Sequence, residues 1–212
     1  VAEEAERREE LVRTGRLLYT RQLAHGSAGN LSVKLEDGTI LVTPTNSSLG
    51  DLEADRISRV APDGELLSGD QPSKEYVFHL AVFEARPDAR AVVHLHSTYS
   101  VAVSCLRDQP QEDVLPPLTA YYVMRVGKLP LVPYFRPGDR ALADAVRAVA
   151  REHRSMLLAN HGPIVSGASL REAVHAYEEL EETARIHLIL GDRPTSPLTA
   201  PAIADLNRAF PS

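Results

Sequence analysis

The sequence predicts an α/β fold: a single domain over residues 1–212 whose largely antiparallel central sheet carries helices on both faces. Three observations predict it. Tight-turn signals recur between short β-rich runs, which reads as hairpins. Longer segments between them place apolar residues at helical spacing. The runs ARAVVHLH and SMLLAN are apolar enough to be strands covered on both faces.

The elements follow in order. Residues 3–24 read as an amphipathic helix, with Ala5, Leu11 and Leu18 on its apolar face. The Gly- and Ser-rich turn HGSAGNLSV leads into a strand at about 31–35. Asp37-Gly38 turns the chain back into TILVT, and Pro62-Asp63-Gly64 turns a second hairpin within ISRVAPDGELL. SGDQPSKE is a loop feeding a helix that runs to residue 86. ARAVVHLH is a buried strand, and STYSVAVSCL a helix capped by Ser97. Residues 115–136 read as short strands and proline-broken loops, and Gly138–Glu152 as a helix. SMLLAN is a strand, His161-Gly162-Pro163 a turn, and IVS a short strand. Ser169 with Glu172 forms a capping box that opens a long helix to Leu190.

Composition narrows the function. Hydrophobic residues make up 43% and charged residues 25%, as in a globular protein with a full core. The net charge is −6 and Lys and Arg are scattered, so no basic stripe advertises nucleic acid. No apolar run approaches the ~18 residues of a membrane span. The acidic opening VAEEAERREE lacks a signal-peptide core, so a cytoplasmic protein is expected. The single cysteine, Cys105, excludes an intrachain disulfide and suits a reducing compartment; within VAVSC it reads as a small buried hydrophobe.

The histidines carry the functional signal. His94 and His96 are two apart at the end of a strand, so alternation points both imidazoles to one face. His161 follows a second apolar strand. Three histidines at the ends of two buried strands make an open site for a divalent metal. His25, His79, His153, His175 and His187 lack matching partners and read as surface or packing residues. Glu75, in Pro72-Ser73-Lys74-Glu75 at a helix start, is a candidate base near the metal. Ser73 and Lys74 there suit a phosphate at the helix N-terminus. The same residues also satisfy a plain helix start, with Ser73 as cap and Glu75 in the first turn. GSAGN and TPTNSS offer two further loops rich in donors, or two plain turns.

Taken together, Gly29-Asn30, Thr43-Pro44-Thr45, Pro72-Ser73-Lys74-Glu75, AVVHLH and Asn160-His161-Gly162 resemble the class II aldolase and adducin-head family in order and spacing, over about residues 8–195. The resemblance implies a three-layer α/β/α domain and a zinc ion, or another divalent metal, on His94, His96 and His161. Glu75 is implied as fourth ligand and catalytic base. It further implies a phosphate site from Gly29, Asn30, Thr45, Asn46, Ser73 and Lys74, and a homotetramer in which a tyrosine, Tyr121 or Tyr122, reaches a neighbouring site. Asn46 and Lys74 depart from the fuculose-phosphate aldolase type, which has Gly and Ser there. GSAGNLSV, SGDQPSKE, VVHLHSTYS and LLANHGPIV resemble the branch that decarboxylates a 3-oxo-tetronate 4-phosphate to dihydroxyacetone phosphate and CO2 through an enediolate. The alternatives are a sugar-phosphate aldolase and a non-catalytic oligomerisation module. Adducin heads commonly lack the metal histidines that this chain keeps.

Overall fold

The structure, a computed structural model, describes residues 2–136 and 138–210; Val1, Pro137, Pro211 and Ser212, which the single-domain reading also spans, lie outside the described residues. The chain opens with helix α1 (Ala2–Thr20). The first hairpin is β1 (Asn30–Lys34) with β2 (Ile40–Val42), and the second is β3 (Ser58–Val60) with β4 (Leu66–Ser68). Both turns are built as the sequence asks. Asp37 Oδ1 accepts from the Thr39 amide and Asp63 Oδ1 from the Glu65 amide, while Gly38 and Gly64 take φ of 84° and 96°.

Helix α2 (Tyr76–Ala85) precedes β5 (Ala91–His94), and α3 (Thr98–Ser104) follows it. The rest of the chain gives α4 (Ala120–Arg125), β6 (Leu131–Val132), α5 (Arg140–Ala150), β7 (Ser155–Leu158), β8 (Gly162–Gly167), α6 (Leu170–Leu190) and α7 (Ala200–Ala209). The described strands form one sheet in the order β4-β3-β2-β1-β5-β8-β7-β6. Every pairing is antiparallel except β6 with β7.

Strand alternation divides the core in two. Ala91, Val93 and Leu95 face Leu11 and Leu18 of α1 and Tyr177 and Leu180 of α6. Val92 faces the other way, toward Phe78 and Val82 of α2 and Val146 of α5. This is the expected sheet with helices on both faces. Among the described residues, no helix is long and apolar enough to cross a membrane.

Several local expectations are corrected. Helix α1 ends at Thr20, and Ala5 is exposed while Leu11 and Leu18 are buried. The proline-broken region holds helix α4, whose amide at Tyr122 is capped by Thr119 Oγ1. The turn after β7 falls at residues 159–161, with Asn160 left-handed at φ 55°, and Gly162-Pro163 already belongs to β8. Cys105 is exposed, because it lies past the end of α3. Ser97 precedes α3 but its side chain does not cap it. The cap comes from Glu181 of α6, whose carboxylate accepts from the amides of Tyr99 and Ser100 and from Ser97 Oγ. At α6 half of the expected capping box forms: Ser169 Oγ accepts from the Glu172 amide, while the Glu172 carboxylate lies near Arg154.

Candidate metal centre

Neighbouring strands bring the site together. In the β1–β5 ladder Asn30 lies opposite His94, and in the β5–β8 ladder His94 lies opposite Ile164. His94 ends β5, His96 sits two residues on, and His161 immediately precedes β8. Gly162 permits this closeness, since a Cβ there would stand 2.6 Å from the Leu95 carbonyl oxygen. Helix α2 delivers Glu75 from its N-terminal edge, and Phe78 on the same helix packs edge-on against the His94 ring at 5.2 Å.

The three imidazoles stand like propeller blades, with ring centroids 4.6–4.9 Å apart and interplanar angles of 71–76°. His94 Nε2 is 3.0 Å from His96 Nε2 and 3.4 Å from Glu75 Oε2, and His161 Nε2 is 3.0 Å from Glu75 Oε1. One donor atom from each of the four residues falls within 4.8 Å of every other. Ligand bonds of ~2.0–2.1 Å in a tetrahedron separate donor atoms by about 3.3–3.4 Å. The residues therefore fit a single divalent cation with little adjustment.

Protonation agrees with that fit. Burial pushes the His94 imidazole well below its ordinary range and that of His96 down to about 4, with His161 adding to both and Glu75 opposing. Burial pushes the Glu75 carboxyl up, but His94, His161 and Asn30 outweigh it and hold the group well below the ordinary carboxylate range. His94 Nδ1–H donates to the Pro163 carbonyl at 2.9 Å, which leaves Nε2 as the lone-pair atom facing the centre. An imidazole ligates a metal only in its neutral form, so three of them with one carboxylate would give a donor set of charge −1. With a doubly charged cation the centre is net positive, which suits an anionic substrate.

Of the expected phosphate residues, Asn30 bonds to Glu75 and Ser73, and the loops that carry Thr45, Asn46 and Lys74 lie alongside. Pro44 bridges Pro72, with the Thr45 amide donating to Gln71 O and the Ser73 amide to Thr43 O. That bridge sets the TPTN and PSKE loops side by side. Asn30, 2% exposed, donates from Nδ2 to Glu75 Oε2 at 2.7 Å and to Ser73 Oγ at 3.2 Å. Gly29 sits at φ 86° with His94 O and Leu95 Cδ2 at 3.0 and 2.9 Å from the position of a Cβ, so only glycine fits. Asn46 is exposed at φ 56°, a left-handed position that asparagine tolerates better than other non-glycine residues. Thr45 and Ser73 are half-buried and Lys74 is exposed.

The two tyrosines separate. Tyr121 is 60% exposed with Arg125 over its ring, whereas Tyr122 is fully buried and its hydroxyl donates to Asp113. Burial and the neighbouring Asp113 raise the Tyr122 phenol above its ordinary range. Of the two candidates to reach a neighbour's site, Tyr122 is sealed in the core by that burial. His79 is a packing residue, stacked on Phe78, but it does not lack partners: it is fully buried with Nε2 at 2.5 Å from Asn30 Oδ1 and Nδ1 at 2.6 Å from Ser32 Oγ. Its signal in the sequence was its place four residues after Glu75, one turn along the same helix face.

Residues 9–188 match the family model for the Class II Aldolase and Adducin N-terminal domain. The chain is 54% identical over 199 residues to 3-oxo-tetronate 4-phosphate decarboxylase of Escherichia coli (strain K12), covering 94% of each. It is 51% identical over 207 residues to the protein of that name from Pectobacterium atrosepticum, covering 98% of this chain and 95% of the relative. L-fuculose phosphate aldolase of Escherichia coli (strain K12) is 34% identical over 168 residues, covering 78% and 75%. Among solved structures, YgbL from Escherichia coli superposes with a TM-score of 0.94 at 53% identity, covering 96% of this chain and 98% of that one. An L-fuculose 1-phosphate aldolase follows at 0.88 and 26% identity, covering 96% and 95%. The matched length, the relatives and the shared fold agree: the chain belongs to the class II aldolase and adducin N-terminal domain family.

Proposed function

We propose that this protein is a zinc-dependent lyase that decarboxylates a 3-oxo-tetronate 4-phosphate to dihydroxyacetone phosphate and CO2. The observation that carries the reading is the convergence of Glu75, His94, His96 and His161 on one point, in a chain 51–54% identical to proteins named for that reaction. When bound, the cation supplies Lewis-acid stabilisation of the negative charge that builds on the substrate's oxygens. Histidine and carboxylate donors in a four-coordinate arrangement favour zinc, with other divalent first-row ions able to substitute.

The chain's own residues account for the rest. Asn30, Thr45 and Ser73, with backbone from Gly29, Asn46 and Lys74, hold the phosphate, and the Lys74 ammonium adds a point charge. Glu75 moves the proton. As a carboxylate it takes the proton of the C2 hydroxyl; the C1–C2 bond breaks, CO2 leaves, and the electron pair remains as an enediolate over C2 and C3. Glu75 returns its proton to C2, and a solvent proton restores the hydroxyl. Tyr121, exposed at the start of α4, is the candidate to assist from a neighbouring subunit of a homotetramer. A cytoplasmic location follows from the lone cysteine and the phosphorylated substrate.

A coupled assay for dihydroxyacetone phosphate, run with 3-oxo-tetronate 4-phosphates and L-fuculose 1-phosphate side by side on the zinc-loaded protein, decides the reaction. Turnover of the acid with release of CO2 is expected. Turnover confined to the sugar phosphate would make the protein an aldolase instead.

A further inference from the structure

A chain of buried polar groups runs from the metal centre into the space between the sheet and α2. Asn30 and Ser32 are two apart on β1, and Glu75 and His79 four apart at the head of α2, so each pair shares one face of its element. The two pairs interdigitate. Ser32 Oγ meets His79 Nδ1 at 2.6 Å, His79 Nε2 meets Asn30 Oδ1 at 2.5 Å, and Asn30 Nδ2 meets Glu75 Oε2 at 2.7 Å. Ser32 and His79 are fully buried and Asn30 is 2% exposed.

The chemistry of the ends sets the direction of every bond. Glu75 is a carboxylate and can only accept, so the Asn30 atom facing it must be the N–H₂. The Asn30 carbonyl oxygen then faces His79 and needs a donor, which only a protonated Nε2 supplies. A neutral imidazole with Nε2–H has a bare Nδ1, and that atom accepts from the Ser32 hydroxyl. Reversing the ring tautomer would turn the Asn30 carbonyl toward a carboxylate 2.7 Å away, a repulsive contact in a poorly solvated place. Burial keeps the imidazole neutral, holding it down to about 4 against the pull of Glu75.

We propose that His79 is a positioning residue that locks the Asn30 amide with its N–H face toward Glu75 and Ser73. Two consequences follow. The Glu75 carboxylate is oriented toward the histidine ligands by a donor that cannot flip. The Asn30 face shown to the phosphate loop is a donor and never an acceptor, which matters because an anion there would be repelled by a carbonyl oxygen. This second consequence rests on the proposed phosphate site; the first does not.

Three measurements on the full-length, zinc-loaded protein test it. Imidazole ¹⁵N spectra at pH 7 should show His79 neutral with the proton on Nε2; a proton on Nδ1, or an imidazolium, overturns the proposal. In His79→Gln the side-chain amide takes the place of Nε2–H, whereas in His79→Asn the amide is too short to reach Asn30. The zinc dissociation constant should stay within about threefold in His79→Gln and weaken by about tenfold in His79→Asn, the lower range for groups behind a metal ligand. Calorimetric titration with inorganic phosphate should show the same split. Equal losses in both variants, or an unchanged zinc constant in His79→Asn, would mean that His79 only fills space. None of these readings uses turnover, so a failure of the decarboxylase assay leaves them intact, and their failure leaves that assay intact. Because the ¹⁵N spectrum is read on the unmodified protein, it stands even where a variant does not fold.

Discussion

In the proposed reaction Glu75 must meet two demands with one carboxylate: it completes the ring of donors around the centre and carries a proton. Its lowered pKa keeps an ionised oxygen for a cation but makes it a weaker base, so a bound cation would have to acidify the substrate hydroxyl before Glu75 could take its proton. Glu75→Gln keeps an oxygen that accepts from Asn30 but cannot take up a proton. Its turnover should fall by about 10²–10⁴-fold while the circular dichroism spectrum is unchanged; wild-type turnover would leave Glu75 as a helix-start residue only. His79 makes a prediction in pH. Its folded value of about 4 lies below the ordinary 6.5, so between those values the unfolded chain takes up a proton that the folded protein refuses. Stability contributed by neutral His79 is complete above pH 6.5 and is lost as the pH falls toward 4, in total by roughly 3 kcal/mol. Urea midpoints measured across that window should fall more steeply for the wild type than for His79→Gln, and parallel curves would refute the assignment.

The elements explain why a sheet of this kind builds the site where it does. Strands β1, β5 and β8 lie side by side in the middle of the sheet, so their ends meet at one rim and carry Asn30, His94 and, just before β8, His161. Close approach of the strands is a requirement there. In Gly162→Ala the new methyl would stand 2.6 Å from Leu95 O, forcing β8 from β5 between the histidines. A loss of about 1–3 kcal/mol in urea unfolding is expected, together with a zinc constant weakened by about tenfold or more. Unchanged values for both would show that the rim yields without disturbing the ligands. The hairpins and the Ser169 cap on α6 were legible in the sequence because each is a local agreement among nearby residues, such as Asp37 with Gly38 or Ser169 with Glu172. Helix α4 was not legible, because prolines at 116, 117, 130 and 133 crowd its flanks and leave only six residues between the caps. The cap on α3 was invisible for another reason: its acceptor, Glu181, lies 82 residues from Tyr99.

At the scale of the whole molecule, the surface separates two tyrosines that are neighbours in sequence. Tyr122 belongs to the core beneath α6, and Tyr121 projects from α4 with 60% of its surface exposed. If Tyr121 serves the site of another subunit, Glu75→Gln and Tyr121→Phe damage different halves of one shared centre. Hybrids formed from the two inactive variants should then regain part of the wild-type activity, as each mixed interface can carry one intact pair. Mixed oligomers without recovery, or a chain that sediments as a monomer, would remove Tyr121 from the mechanism.

The sequence by itself determined the sheet-and-helix architecture and the grouping of the three histidines, because both follow from periodicity: alternation points His94 and His96 together, and a second apolar strand ends beside His161. Glu75 and the phosphate loops could be named as candidates but read equally well as a helix start and plain turns, since spacing along a chain does not say which strand end a helix start will face. Tertiary structure decided that Asn30 donates to Glu75 across 45 residues and that His79 meets Asn30 across 49. It decided as well that Tyr122 is sealed away while Tyr121 is not. Those outcomes depend on the register of β1 against β5 and on the seating of α2 over the sheet. Both are set by the collective packing of two cores, and no local pattern encodes them.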